Sequence, residues 1–125
     1  MSLHKKTPMK QIILIISFFL SFSLKSQTSD GAIITTTLMI KGNCEQCKKR
    51  IENAADIKGV KFFEWDEKTK VAKVIYNTSK TNLEAIEKAI AAKGYDTQSQ
   101  TGDKNAYNKL PECCHYRSGV CKDKK

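Results

Sequence analysis

Two thiols separated by two residues carry the first chemical signal in this chain: Cys44 and Cys47, within GNCEQC at 42–47. At a strand-to-helix junction that spacing lets both sulfurs point at one ion, and thiolates prefer soft metals such as Cu(I). The same pair could exchange disulfides, because a helix terminus favours the thiolate, which is the nucleophile. A second group lies near the C-terminus, where Cys113, Cys114 and His115 are adjacent and Cys121 follows, with Pro111 stiffening the approach. Three uses of that group stay open. It adds ligands to Cys44 and Cys47 in a closed site that retains metal or suits zinc, it forms an independent soft-metal site, or it is stapled by a disulfide such as Cys114 to Cys121.

The elements that must hold the first pair can be read from hydrophobic periodicity. Residues 32–41, AIITTTLMIK, are rich in branched side chains and predict a strand. Cys47, Ile51, Ala54 and Ala55 share one face of a helix that ends before Gly59. Residues 60–66 and 70–77 predict a hairpin around the polar turn EKT, with Ala72, Val74 and Tyr76 alternating against Lys73 and Ile75. A second helix follows, opened by a capping box of Thr81 and Glu84, striped by Leu83, Ile86 and Ile90, and stopped at Gly94. Residues 95–100 complete the pattern as a last strand. The expected fold is α+β, a ferredoxin-like βαββαβ sandwich: an antiparallel four-stranded sheet with two helices on one face, plus a Cys-rich C-terminal tail.

Placing Cys47 in the first turn of the first helix matters chemically. Unpaired N–H groups and the helix dipole there favour the thiolate, and Lys48, Lys49 and Arg50 act in the same direction. A site of two sulfurs leaves its ion open to an incoming ligand. Trp65, Phe63 and Tyr76 read as core or sheet-face residues, and Met39 as a packing residue of the first strand.

The chain has 125 residues, 40% hydrophobic and 28% charged, which fits one small domain with appendages and excludes multidomain enzymes. Residues 1–26 read as a secretory signal, with basic Lys5, Lys6 and Lys10 ahead of the apolar run 12–24. That run is shorter than the roughly 20 apolar residues of a membrane span, so the expectation is a cleaved leader and a soluble product, periplasmic or otherwise exported. A short linker at 27–31, the domain at 32–100 and the tail at 101–125 complete the expected organisation. The formal charge of +9 includes Lys5, Lys6, Lys10 and Lys25, and the other basic residues are interspersed with acids without stacking aromatics. Nucleic acid is therefore not an expected partner. An acidic partner domain could be steered by the remaining positive charge. No GxSxG, HExxH or phosphate-cradling glycine loop occurs, so no catalysis is predicted.

Residues 33–98 resemble the heavy-metal-associated domain family, found in copper chaperones, in mercury-scavenging periplasmic proteins and at the amino termini of metal-pumping ATPases. The segments that carry the resemblance are NCEQC followed by KKRIENA, then KGVKFFEW, VAKVIYN and LEAIEKAIAAKGYDT. The resemblance implies metal held by Cys44 and Cys47, with Tyr95, Gly42 and Asn43 beside it. Gly42 stands where the family usually has a Met packed beneath the loop. Implied cargo is Cu(I), with Hg(II) or Zn(II) as alternatives, and the implied partner is a metal-transporting ATPase or another metal-accepting protein. A metal-bridged homodimer is an arrangement the sequence leaves open. Alternative functions are a thiol-disulfide oxidoreductase and a zinc-binding or disulfide-stapled exported module. In the four-stranded topology the tail starts at the far end of the domain. Thirteen residues can span about 43 Å, which allows Cys113 to return.

Overall fold

A computed structural model describes residues 30–119; the leader expected at 1–26 and Cys121 lie outside the described residues. The chain runs β1 (Ile33–Met39), α1 (Glu45–Ala55), β2 (Val60–Trp65), β3 (Val71–Asn77) and α2 (Leu83–Ala91). The tail then adds a short helix α3 (Lys104–Asn108) and two 3-10 turns, Glu112–Cys114 and Tyr116–Ser118.

Period-two burial fixes the sheet. Ala72, Val74 and Tyr76 point inward from β3, while Lys73 between them is exposed. Both neighbours are antiparallel to β3, with Thr36 and Phe63 each opposite Val74. The register of β1 places Leu38, followed by Ile40, in the core and leaves Ile33 and Met39 outside. Cys47, Ile51, Ala54 and Ala55 are all buried, as their helical spacing predicts. Ile86 and Ile90 bury the matching stripe of α2. Sequestering each large aliphatic side chain contributes about 1.5–3 kcal/mol, which is what holds these short helices in place.

The sheet has three strands in the order β1-β3-β2, not the four expected. Residues 95–100 make only one bridge, Thr97 to Ile40, and a bond from the Lys41 N–H to the Asp96 carbonyl. Their side chains explain the difference. Glu87, buried on α2, accepts from the Thr97 hydroxyl at 2.6 Å, from the Ser99 N–H at 3.0 Å and from the Ser99 hydroxyl. Thr97 bonds Gln100 through its backbone N–H and accepts the Gln100 N–H at its hydroxyl. These local bonds use the donors that a strand ladder would need, so the chain turns instead of extending.

That turn redirects the tail. Gly102 returns against Gly94 so closely that a Cβ on it would lie 2.5 Å from the Gly94 carbonyl carbon. The tail therefore starts beside residues 94–96 and not at the far end of the domain. Asp103 bonds the Ala91 carbonyl and caps α3 by accepting from the Ala106 N–H. Leu110 and Cys114 then join the core.

A second correction concerns the start of α2. Asn82 is its N-cap, accepting the Ala85 N–H at 2.8 Å, and there is no Thr81–Glu84 capping box. Glu84 instead pairs with Lys88 one turn on, at 2.6 Å. An amide oxygen at the junction satisfies the orphan donor as well as a hydroxyl does. Gly94 does supply the left-handed stop, at φ 95°.

Candidate metal centre

The β1–α1 loop sets the first two sulfurs by backbone geometry. Cys44 is the N-cap of α1, extended at φ −145°, and its carbonyl accepts the Lys48 N–H at 3.0 Å. Cys47 lies one turn in, fully buried, with its Sγ 3.6 Å from that of Cys44. The Asn43 N–H approaches the Cys47 sulfur at 3.4 Å. Burial pushes the Cys44 thiol up, but the Cys47 and Gln46 N–H groups and the Cys47 and Cys113 side chains outweigh it. The thiol is left below its ordinary pKa.

Beneath the loop, the Trp65 ring takes the space opened by Gly42. A Cβ at Gly42 would stand 2.9 Å from the Trp65 ring and 3.2 Å from the Cys47 Cβ. The indole N–H donates to the Ile40 carbonyl at 3.1 Å, fixing the ring at the end of β1.

A third sulfur arrives from the tail. Cys114 Sγ lies 3.9 Å from Cys44 Sγ, and the sulfurs of Cys44, Cys47 and Cys114 all fall within 4.8 Å of one another. Burial and the Cys47 thiol push the Cys114 thiol well up. Cys113 stands outside this triad. Its sulfur is 3.9 Å from that of Cys114 and 3.5 Å from the Gln46 side-chain oxygen, and it is only partly buried. His115 is also outside the triad and stacks on Tyr107, with ring centroids 5.0 Å apart. The triad's sulfur separations exceed the roughly 2.05 Å of a disulfide, so Cys44, Cys47 and Cys114 are thiols here. The proposed partner of a Cys114 staple, Cys121, lies outside the described residues.

Tyr95 seals the site from inside. It is fully buried, and its hydroxyl has no oxygen or nitrogen partner and faces the Cys47 and Cys114 sulfurs. Burial and both thiols push its pKa up, so it remains an O–H able to donate to a thiolate. The Asn43 side-chain nitrogen is likewise buried without a partner.

A simple measure shows what the triad could hold. With metal–sulfur bonds of about 2.3 Å, trigonal coordination places sulfurs about 4.0 Å apart and linear coordination about 4.6 Å. The observed 3.6 and 3.9 Å are shorter than a linear pair requires and fit a site of more than two ligands. Sequence reasoning offered Cys113, Cys114, His115 and Cys121 as further ligands; among the described residues the fold brings the Cys114 sulfur to the Cys44–Cys47 pair. It missed Tyr116, Arg117 and Asp96, which fasten the tail, because no spacing links residue 96 to residue 117.

Residues 37–96 match the heavy-metal-associated domain family profile. Among solved structures, oxidized MerP from Ralstonia metallidurans CH34 is 29% identical, with a TM-score of 0.51, over 55% of this chain and 100% of that one. A protein described as copper-ion-binding, from Bacillus anthracis str. Ames, is 27% identical with a TM-score of 0.52, over 54% of this chain and 99% of that one. No curated protein matches the sequence. Residues 37–96 thus match a heavy-metal-associated domain, and the tail lies beyond that match. Among the described residues, no helix is long and apolar enough to cross a membrane.

Proposed function

We propose that this chain is an exported carrier of a soft metal ion, held by Cys44, Cys47 and Cys114 and passed on by thiolate exchange. The observation that carries this reading is the meeting of three sulfurs within 4.8 Å at the mouth of α1. It is a carrier and not a catalyst. Cu(I) is the cargo the donor set suits best, since three thiolates and no carboxylate or imidazole form the group. Hg(II) is the nearest alternative.

The chemistry follows from the unequal thiols. Cys44, with its lowered pKa, offers a thiolate first and captures the ion. Cys47 closes on it from the same helical turn. Cys114 joins by giving up its proton, and the Tyr95 hydroxyl can then donate to the charge left on sulfur. A third sulfur from the same chain removes the need for a second chain's thiolate, so the loaded form is expected to be a monomer. The recipient is an acceptor with its own thiolates, a metal-transporting ATPase in the reading we favour. Residues 1–26 serve as a cleaved leader that delivers the domain outside the cytoplasm.

Native mass spectrometry of the reduced chain lacking residues 1–26, with Cu(I), Hg(II) and Zn(II) under chelator competition, tests the proposal. One Cu(I) per chain, held more tightly than Zn(II), is expected. Failure to bind either Cu(I) or Hg(II) would overturn it.

A further inference from the structure

The tail residues after Cys114 make an anchorage for which the proposed ligands themselves give no reason. The Tyr116 hydroxyl accepts the Asp96 N–H at 2.8 Å and donates to the Gly94 carbonyl at 2.7 Å, bracketing Tyr95 on both sides. Its ring stacks on that of Tyr95, with centroids 5.9 Å apart. Arg117 pairs with the Asp96 carboxylate at 2.6 Å and donates to the Gly102 carbonyl at 3.1 Å. Its guanidinium lies 4.4 Å from the Tyr107 ring centroid and 5.6 Å from that of Tyr116. The Asp96 carboxylate is only 14% exposed, so the pair is better shielded than an ordinary surface salt bridge. All of this fixes a segment that starts two residues after Cys114.

We propose that Tyr116 and Arg117 are positioning residues that set how many sulfurs hold the ion: three with the tail docked through them, two with it released. This rests on the three-sulfur reading above and extends it to the control of release. A tethered ligand binds intramolecularly, and its contribution scales with the fraction of time it is held in place. Cys44 and Cys47 are fixed by one helical turn, whereas Cys114 reaches them from 70 residues away in sequence through contacts that can break as a unit. Cys114 is therefore the sulfur that an acceptor displaces first. In that step an acceptor thiolate forms its bond to the ion as the bond to Cys114 Sγ breaks. The departing Cys114 thiolate takes up a proton equivalent to the one the acceptor thiol released, and no electron is transferred.

X-ray absorption of the reduced chain lacking residues 1–26, loaded with one equivalent of Cu(I), counts the sulfurs directly, and chelator removal gives the release rate. Wild type is expected to show three sulfurs and Cys114→Ser two. Arg117→Ala and Tyr116→Phe should move the count toward two and release copper at least ten times faster, with Arg117→Lys between them and wild type. Thermal unfolding reports whether each variant folds; if Arg117→Ala does not, Tyr116→Phe, which keeps the ring, decides. A folded variant with three sulfurs and a wild-type release rate overturns the positioning role while leaving the triad standing. Two sulfurs in wild type itself would overturn the triad and this inference together.

Discussion

The loop at 42–47 and the tail at 110–117 each bring sulfur to the same point by different physics. In the loop, one turn of α1 fixes the spacing of Cys44 and Cys47, so local backbone geometry is sufficient. In the tail, Cys114 arrives only because residues 97–100 turn back, Gly102 packs on Gly94, and Tyr116 and Arg117 fasten to residues 94–96. Local geometry persists while the helix persists. A ligand placed by tertiary docking is conditional on that docking, and the proposed division between holding and releasing metal follows from the contrast.

The sharpest test of this contrast is to remove sulfurs from each region. Cys44→Ser/Cys47→Ser should abolish stoichiometric Cu(I) binding in native mass spectrometry. Cys114→Ser should keep one ion per chain but weaken it about 10- to 100-fold, or roughly 1.4–2.7 kcal/mol. Equal losses from both variants would erase the distinction between the regions.

Backbone substitutions probe the same contrast without touching sulfur. At Gly94, φ is 95° and a Cβ would meet the Tyr107 backbone N at 2.5 Å, so Gly94→Ala strains the chain and pushes against α3. A loss of about 2 kcal/mol or more is expected in urea unfolding. The nearest atoms that Gly42→Ala would meet are the Trp65 ring edge and the Cys47 Cβ, and about 1 kcal/mol is expected from such crowding. Its effect should appear in loop geometry, while the tail stays docked.

Acidity separates the regions more finely. Because the Cys114 thiol is pushed well up, it is protonated near neutral pH, and an ion that engages it must expel that proton. Rising pH therefore strengthens binding, and wild type should gain about one more factor of ten per pH unit than Cys114→Ser between pH 6 and 8. Parallel titration of both proteins against a copper chelator measures this difference. Identical slopes would mean that Cys114 loses no proton on loading.

Much of the domain was legible because its signals are local. The stripe Cys47, Ile51, Ala54, Ala55 is buried as its period predicts, and the alternation of Ala72, Val74 and Tyr76 sets the inner face of the hairpin. The last strand was not legible. Its side chains answer to Glu87, a buried carboxylate that a helical pattern presents as one more polar position. The start of α2 was misplaced by one residue because Thr81 and Asn82 are both competent caps, and only the path of the chain chooses between them. In the candidate site, Cys44 and Cys47 were legible from spacing, and Cys114 only as one of several tail ligands. Selecting it required the turn at 97–100, whose cause lies ten residues upstream on another element.

An ion shared by Cys44 and Cys114 would join positions 70 residues apart. It would thus act as a cross-link, lowering the entropy of the unfolded chain much as a covalent bridge across a long ring does. Unlike a covalent bridge, it is undone by competition from another thiolate, without any reductant. Delivery of the cargo would then return the protein to its weaker, unbridged state, and the melting temperature of the chain would report its load.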